Sequence, residues 1–135
     1  MEIILPVQTD FFFQVRFDDC DYYQHMNNNV YLNYCDHAMY EFFRKTISPK
    51  KMTNYLFHLV RNEADYYLPA TLDEKLKIQT QIHKIGNTSI TFIQKIYRNT
   101  DLLVQIKKTG VFLNSKNGKK SSVPDEFQLI TNTSI

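Results

Sequence analysis

The stretch VYLNYCDHAMYEFFRK, residues 30–45, decides how the rest of this chain must be arranged. Tyr31, Leu32, Cys35, Ala38, Met39, Phe42 and Phe43 recur at spacings of three and four, while Asn33, Asp36, His37, Glu41 and Arg44 take the opposite side. That period belongs to an amphipathic α-helix of about four turns. Its apolar stripe covers enough of the circumference for the helix to be largely enclosed, so the remaining elements must wrap it. Asn27, Asn28 and Asn29 stand just before the helix, and an Asn side-chain oxygen can accept from the free N–H groups of a first turn. Pro49 marks the far end.

Outward from this helix the period changes to two. Phe11–Phe17 predicts a first strand, and the segment after Pro49, ISPKKMTNY, leaves room for a short second helix. Residues 56–67 form a plausible strand ended by Pro69. From Lys75 to Lys84, Leu76, Ile78, Thr80 and Ile82 share one face and Lys75, Lys77, Gln79, Gln81 and His83 the other. Gly86-Asn87 supplies a turn, and 89–99 and 102–114 add two long strands. In the last of these Val104, Ile106 and Phe112 face one way, Gln105 and Lys107 the other. One strand, one long helix, then antiparallel strands joined by short turns is an α+β arrangement, in which a sheet with one apolar face curls round a single helix and keeps a polar outer face. The length suits one domain spanning residues 1–135.

Composition narrows the function. The chain is 43% hydrophobic and 22% charged, a balance typical of folded globular domains, and its aromatic residues are all Phe and Tyr. Sixteen basic against 14 acidic residues leave a net charge of +2, short of the concentrated positive charge that displaces counterions from a nucleic acid. The N-terminal MEIILPVQTD carries no basic residue before a short apolar run, and no apolar stretch is long enough to span a bilayer, so the expectation is a cytoplasmic protein without a membrane partner. Cys20 and Cys35 lack zinc-site spacing and read as free thiols.

Residues 18–29, DDCDYYQHMNNN, carry the chemistry. The residues from 15 to 45, VRFDDCDYYQHMNNNVYLNYCDHAMYEFFRK, resemble the hotdog-fold acyl-CoA thioesterases, in particular the branch similar to 4-hydroxybenzoyl-CoA thioesterase: a strand, an Asp-x-Asp pair, a His-x-Asn-Asn segment, then the central helix with an acidic residue before Ala. Residues 62–97, NEADYYLPATLDEKLKIQTQIHKIGNTSITFIQKIY, resemble a second block of that family, and SVPDEF (122–127) its closing Pro-containing turn. Two departures stand out: Asp73-Glu74 where the family often has Gly before its acidic residue, and Met39 where an Arg often follows the helix Ala.

The resemblance implies a curved antiparallel sheet wrapped around one helix, hydrolysis of an acyl-CoA or acyl-carrier-protein thioester to free acid and thiol, no cofactor, and a homodimer or homotetramer in which sheets join. A thiol near pKa ~8.5 departs readily, so such an enzyme needs an oxygen nucleophile and a stabilised oxyanion. By the motif Asp21 is the nucleophile or general base, and backbone N–H near Asn28, at the positive end of the helix, is the oxyanion donor. His25 is either an assisting base or a residue that orients the loop; Asn27, Asn29, Tyr31 and Glu63 are substrate-binding candidates, and Glu63 and its neighbour Asp65 would approach a partner's helix start. Arg61, Lys84, Lys107, Lys108, Lys116, Lys119 and Lys120 are available to CoA phosphates, though a solvated sheet face explains them equally well.

The same residues admit other readings. Asp18 and Asp19 suit turn formation better than catalysis. Cys20 with His25 as base is disfavoured, because in extended backbone Cys20 and Asp21 point to opposite sides. A calcium loop lacks its Gly and distant Glu, and no second His joins His25 in a metal site. Two functional alternatives remain: a hotdog hydratase or dehydratase in which His25 and Asp21 move a proton at carbon, and an acyl-thioester-binding protein without turnover.

Overall fold

The computed structural model describes residues 8–133; the short apolar run near the N-terminus lies outside them. Strand β1 (Gln8–Gln14) is followed by helix α1 (Asn28–Thr46), a short α2 (Pro49–Met52), strands β2 (Tyr55–Tyr66), β3 (Lys75–Ile85), β4 (Ser89–Arg98) and β5 (Asp101–Asn114), and a closing helix α3 (Asp125–Thr133). The strands form one antiparallel sheet in the order β1-β3-β4-β5-β2, so β2, next in the chain after α2, lies at the edge far from β1. The sheet curves around α1, as the resemblance implied.

Helix α1 buries Tyr31, Cys35, Ala38, Met39, Phe42 and Thr46 against the sheet. Contact in the middle is close enough for a sheet side chain to reach the helix backbone. Gln94 Nε2 donates to the Cys35 carbonyl at 2.9 Å and to Thr80 Oγ1 at 3.1 Å. Under the first half of the helix the core holds Val15, Ile78, Ile96 and Ile106. Under the second half it is aromatic: Phe42, Phe92, Phe112 and Phe127 are fully buried.

Four expectations are corrected. The first strand stops at Gln14 rather than Phe17, because the Asp19 carboxylate accepts the Arg16 N–H at 2.8 Å and bends Phe17–Asp19 into a 3₁₀ turn. Asn27 stands at the N-cap of α1, yet its side chain makes no capping bond; the chain is held there by its backbone, with Asn27 N–H donating to Asp19 O at 2.9 Å. The SVPDEF segment begins a helix instead of a bare turn. Pro124 leads into Asp125 and Glu126 in the positive first turn, and Phe127 and Ile130, three apart, both enter the aromatic core.

The fourth is Lys108. Along β5 the alternation Val104, Ile106, Lys108, Gly110, Phe112 puts it on the inner face, 2% exposed, with Nζ donating to Asp36 Oδ1 at 2.9 Å. It is engaged by the central helix and is withdrawn from the cations offered to CoA. Gly110, two residues on, has no side chain because the Phe57 ring occupies the space a Cβ would need.

Candidate active site

The DDCD segment folds by local hydrogen bonding. Asp21 N–H donates to His25 O at 2.8 Å and Gln24 N–H returns to Asp21 O at 3.0 Å, with Gln24 at a φ of 63° to close the turn. Asp21 Oδ1 accepts from Tyr23 N–H at 2.8 Å and His25 N–H at 3.1 Å. The carboxylate is thus held by the turn it forms, and Oδ2 makes no bond among the described residues. Asp19 is buried at the strand side, its Oδ2 also accepting the Tyr34 hydroxyl at 2.7 Å; burial and this bond push the Tyr34 phenol up to about 12. Asp18 pairs with Arg16 at the surface. The turn-forming reading of Asp19 agrees with these contacts.

Residues 66–72 are stitched to this loop from a distant part of the chain. Met26 N–H donates to Ala70 O at 2.9 Å, Leu72 N–H to Gln24 O at 3.1 Å, and the buried Tyr31 hydroxyl accepts the Ala70 N–H at 2.9 Å. A cleft of about 460 Å³ opens between the two segments. One wall carries Asp21, His25, Asn27 and Asn28, the other Tyr66, Tyr67, Leu68 and Pro69; the nearly buried Met26 and Tyr31 lie at its base. Tyr66 spans the walls, its hydroxyl donating to the Asn28 carbonyl at 3.1 Å.

The structure therefore brings Asp21, His25, Asn27, Asn28 and Tyr31 to one cleft. Asn29, exposed in the first turn of α1, is not among its lining residues, and Glu63 sits on the edge strand, exposed and ion-paired with Arg61. The facing wall was not foreseen as part of the site, although the aromatic pair before Leu68 and Pro69 was its visible signal. A second unforeseen feature supports that wall. Glu74 accepts from the Thr71 N–H at 2.6 Å and the Thr71 hydroxyl at 2.9 Å, and pairs through both oxygens with Arg98, whose Nη1 also donates to Pro69 O at 3.4 Å.

Cys20 is not among the lining residues of the cleft, and its Sγ donates to Arg16 O at 3.5 Å. Burial, then the Asp19 and Asp21 carboxylates, raise its thiol above the ordinary range, which makes a thiolate harder to form. Cys35 is buried, and desolvation pushes it up to about 12. Among the described residues no cluster of three or more His, Cys, Asp or Glu could hold a metal ion, and no helix is long and apolar enough to cross a membrane.

This cleft belongs to a fold seen before. The sequence model of the thioesterase-like superfamily matches residues 15–130. The chain belongs to the thioesterase-like superfamily. Within that superfamily it is 31% identical over 84 residues to the acyl-CoA thioesterase YbgC of Helicobacter pylori, a match covering 62% of this chain and 63% of that protein, somewhat under two thirds of its length. The crystal structure of YbaW, a probable thioesterase of Escherichia coli, superposes with a TM-score of 0.80 at 26% identity, covering 93% of this chain and 96% of that one. A mutant 4-hydroxybenzoyl CoA thioesterase complexed with 4-hydroxybenzoyl CoA has a TM-score of 0.82 at 18% identity, covering 93% and 99%, and shares the hotdog fold.

Proposed function

We propose that this superfamily member is an acyl-CoA thioesterase. The observation that carries the reading is the meeting of Asp21 and the start of α1 at one cleft. Asp21 attacks the thioester carbonyl, or takes a proton from the water that does; the carbonyl oxygen gains the negative charge, and N–H groups near Asn28 stabilise it. If Asp21 attacks directly, C–S cleavage leaves an acyl anhydride on Asp21 that water hydrolyses to the acid. If water attacks, C–S cleavage releases the acid at once and the proton taken up by Asp21 is available to the departing CoA thiolate. The missing Asn27 capping bond supports this role for the helix start, since first-turn amides left uncapped by that side chain remain available to a ligand. Asn27 and Tyr31 are assigned to substrate contact because they line the same cleft.

A thiol-release assay over short, long and aromatic acyl-CoAs tests this. Asp21→Asn should lower kcat by about a hundredfold or more while keeping the fold, because an amide oxygen can still accept from Tyr23 and His25. An unchanged rate overturns the assignment. Loss of enoyl absorbance without thiol release would instead favour the hydratase, and binding without turnover in both proteins the non-catalytic reading. Carrier-protein thioesters run in parallel decide between the two carriers.

We also infer a homodimer joined along β2, and keep Glu63 in substrate binding as part of that dimer. Support comes from the edge position of β2 and from Leu56, Leu59 and Val60, which leave it with apolar side chains in solvent. Light scattering should give twice the chain mass, and Val60→Glu should shift it toward monomer; a wild-type monomer at assay concentration, or a tetramer insensitive to Val60→Glu, overturns this edge as the dimer contact.

A further inference from the structure

The hydrogen bond across the cleft reaches one particular peptide group. Tyr66, at the end of β2, donates its hydroxyl to the Asn28 carbonyl at 3.1 Å, and its ring lies 5.8 Å from that of Tyr31, whose own hydroxyl is anchored by the Ala70 N–H. The Asn28 carbonyl belongs to the same planar unit as the Asn29 N–H. Lowering of electron density at the carbonyl oxygen polarises the N–H on the other side of that unit, as in any chain of linked hydrogen bonds. The bond also limits rotation of that peptide in the first helical turn, where no preceding turn holds the N–H in place.

We propose that Tyr66 is a positioning residue that orients and polarises the Asn28–Asn29 peptide for the oxyanion. This rests on the thioesterase reading above, and it adds the Asn29 N–H, rather than the Asn29 side chain, as the group through which that residue acts. Tyr66 touches no reacting atom; it acts through the peptide. The Tyr66 ring packs beside Tyr31, which the Ala70 N–H anchors, and its phenol engages the carbonyl end of the peptide, leaving the N–H at the other end to the oxyanion.

Two measurements on Tyr66→Phe test this, with Tyr40→Phe as a control, since Tyr40 is also exposed and lies on α1 outside the lining of this cleft. The amide NMR signal of Asn29 should move in Tyr66→Phe and not in Tyr40→Phe, which reads the contact without any substrate. With acyl-CoA, kcat should fall about three- to tenfold with KM within about twofold, the scale of one lost hydrogen bond. Unfolding temperature close to wild type, with kcat restored by no substitution lacking a donor, separates this from a loosened fold. A stationary Asn29 signal overturns the proposal, and so does a moved signal with kcat unchanged or with only KM affected. If wild type releases no thiol from any acyl-CoA, the thioesterase reading fails and takes this proposal with it; if wild type is active and Tyr66→Phe equals it, Tyr66 alone is wrong.

Discussion

Lys108 and Asp36 form an ion pair of unequal halves: the lysine is 2% exposed on the inner face of the sheet, the aspartate side chain 71% exposed on the central helix, with 2.9 Å between Nζ and Oδ1. Among the described residues the ammonium therefore depends on one acceptor, at the boundary of the core. Asp36→Ala should destabilise the fold by about 1.5–3 kcal/mol, because it leaves a charged donor unpaired. Lys108→Met, which removes charge and keeps volume, should cost far less or raise stability. Urea unfolding of the two variants checks the order; equal losses would contradict it.

Acid should weaken the wall of the cleft through Glu74. Burial pushes the Glu74 carboxyl up, but the Thr71 N–H and hydroxyl and the Arg98 guanidinium outweigh it and hold the group below its ordinary range. A folded-state pKa below the unfolded one contributes stability at higher pH and loses it as pH falls from the unfolded value, about 4.3, through the folded one. Glu74→Gln should be less stable than wild type at neutral pH and should show a shallower loss below that value. Unfolding midpoints measured across this range read both slopes, and parallel curves would refute the link.

Tyr31 reads from sequence as part of the apolar helix stripe and as a substrate-binding candidate; its hydroxyl is the acceptor for the Ala70 N–H, and both residues are buried. Tyr31→Phe leaves that N–H without its partner and should cost about 1–3 kcal/mol. Faster hydrogen exchange at Ala70 should accompany the loss, which a general softening of the core would not confine to that amide.

Gly110→Ala should be destabilising by about 1–3 kcal/mol through overpacking against the Phe57 ring. Phe57→Leu, combined with it, should recover part of that loss in the same chemical denaturation series. Additive effects of the two substitutions would show that the ring and the glycine are not matched.

Much of this protein was legible as local pattern. The helix from Asn28 to Thr46 encloses the predicted 30–45, and the strands 55–66, 75–85, 89–98 and 101–114 lie within a residue or two of their predicted ends, because periods of 3.6 and 2 are properties of neighbouring side chains. Of the site, Asp21, His25, Asn27 and Asn28 were adjacent in the chain and Tyr31 close after them, so their gathering at one cleft followed from a turn running into a helix.

What residue order leaves open depends on which segments meet. β2 crosses to the edge beside β5 before the chain returns, and this route carries Tyr66 to Asn28, 38 positions away in sequence. The burial of Lys108, the bond from Tyr31 to Ala70, the ring in place of a Gly110 side chain and the closing helix at Phe127 have the same origin. Each is set by a partner from another element, and side-chain alternation along one strand or helix names a face without naming what that face will touch.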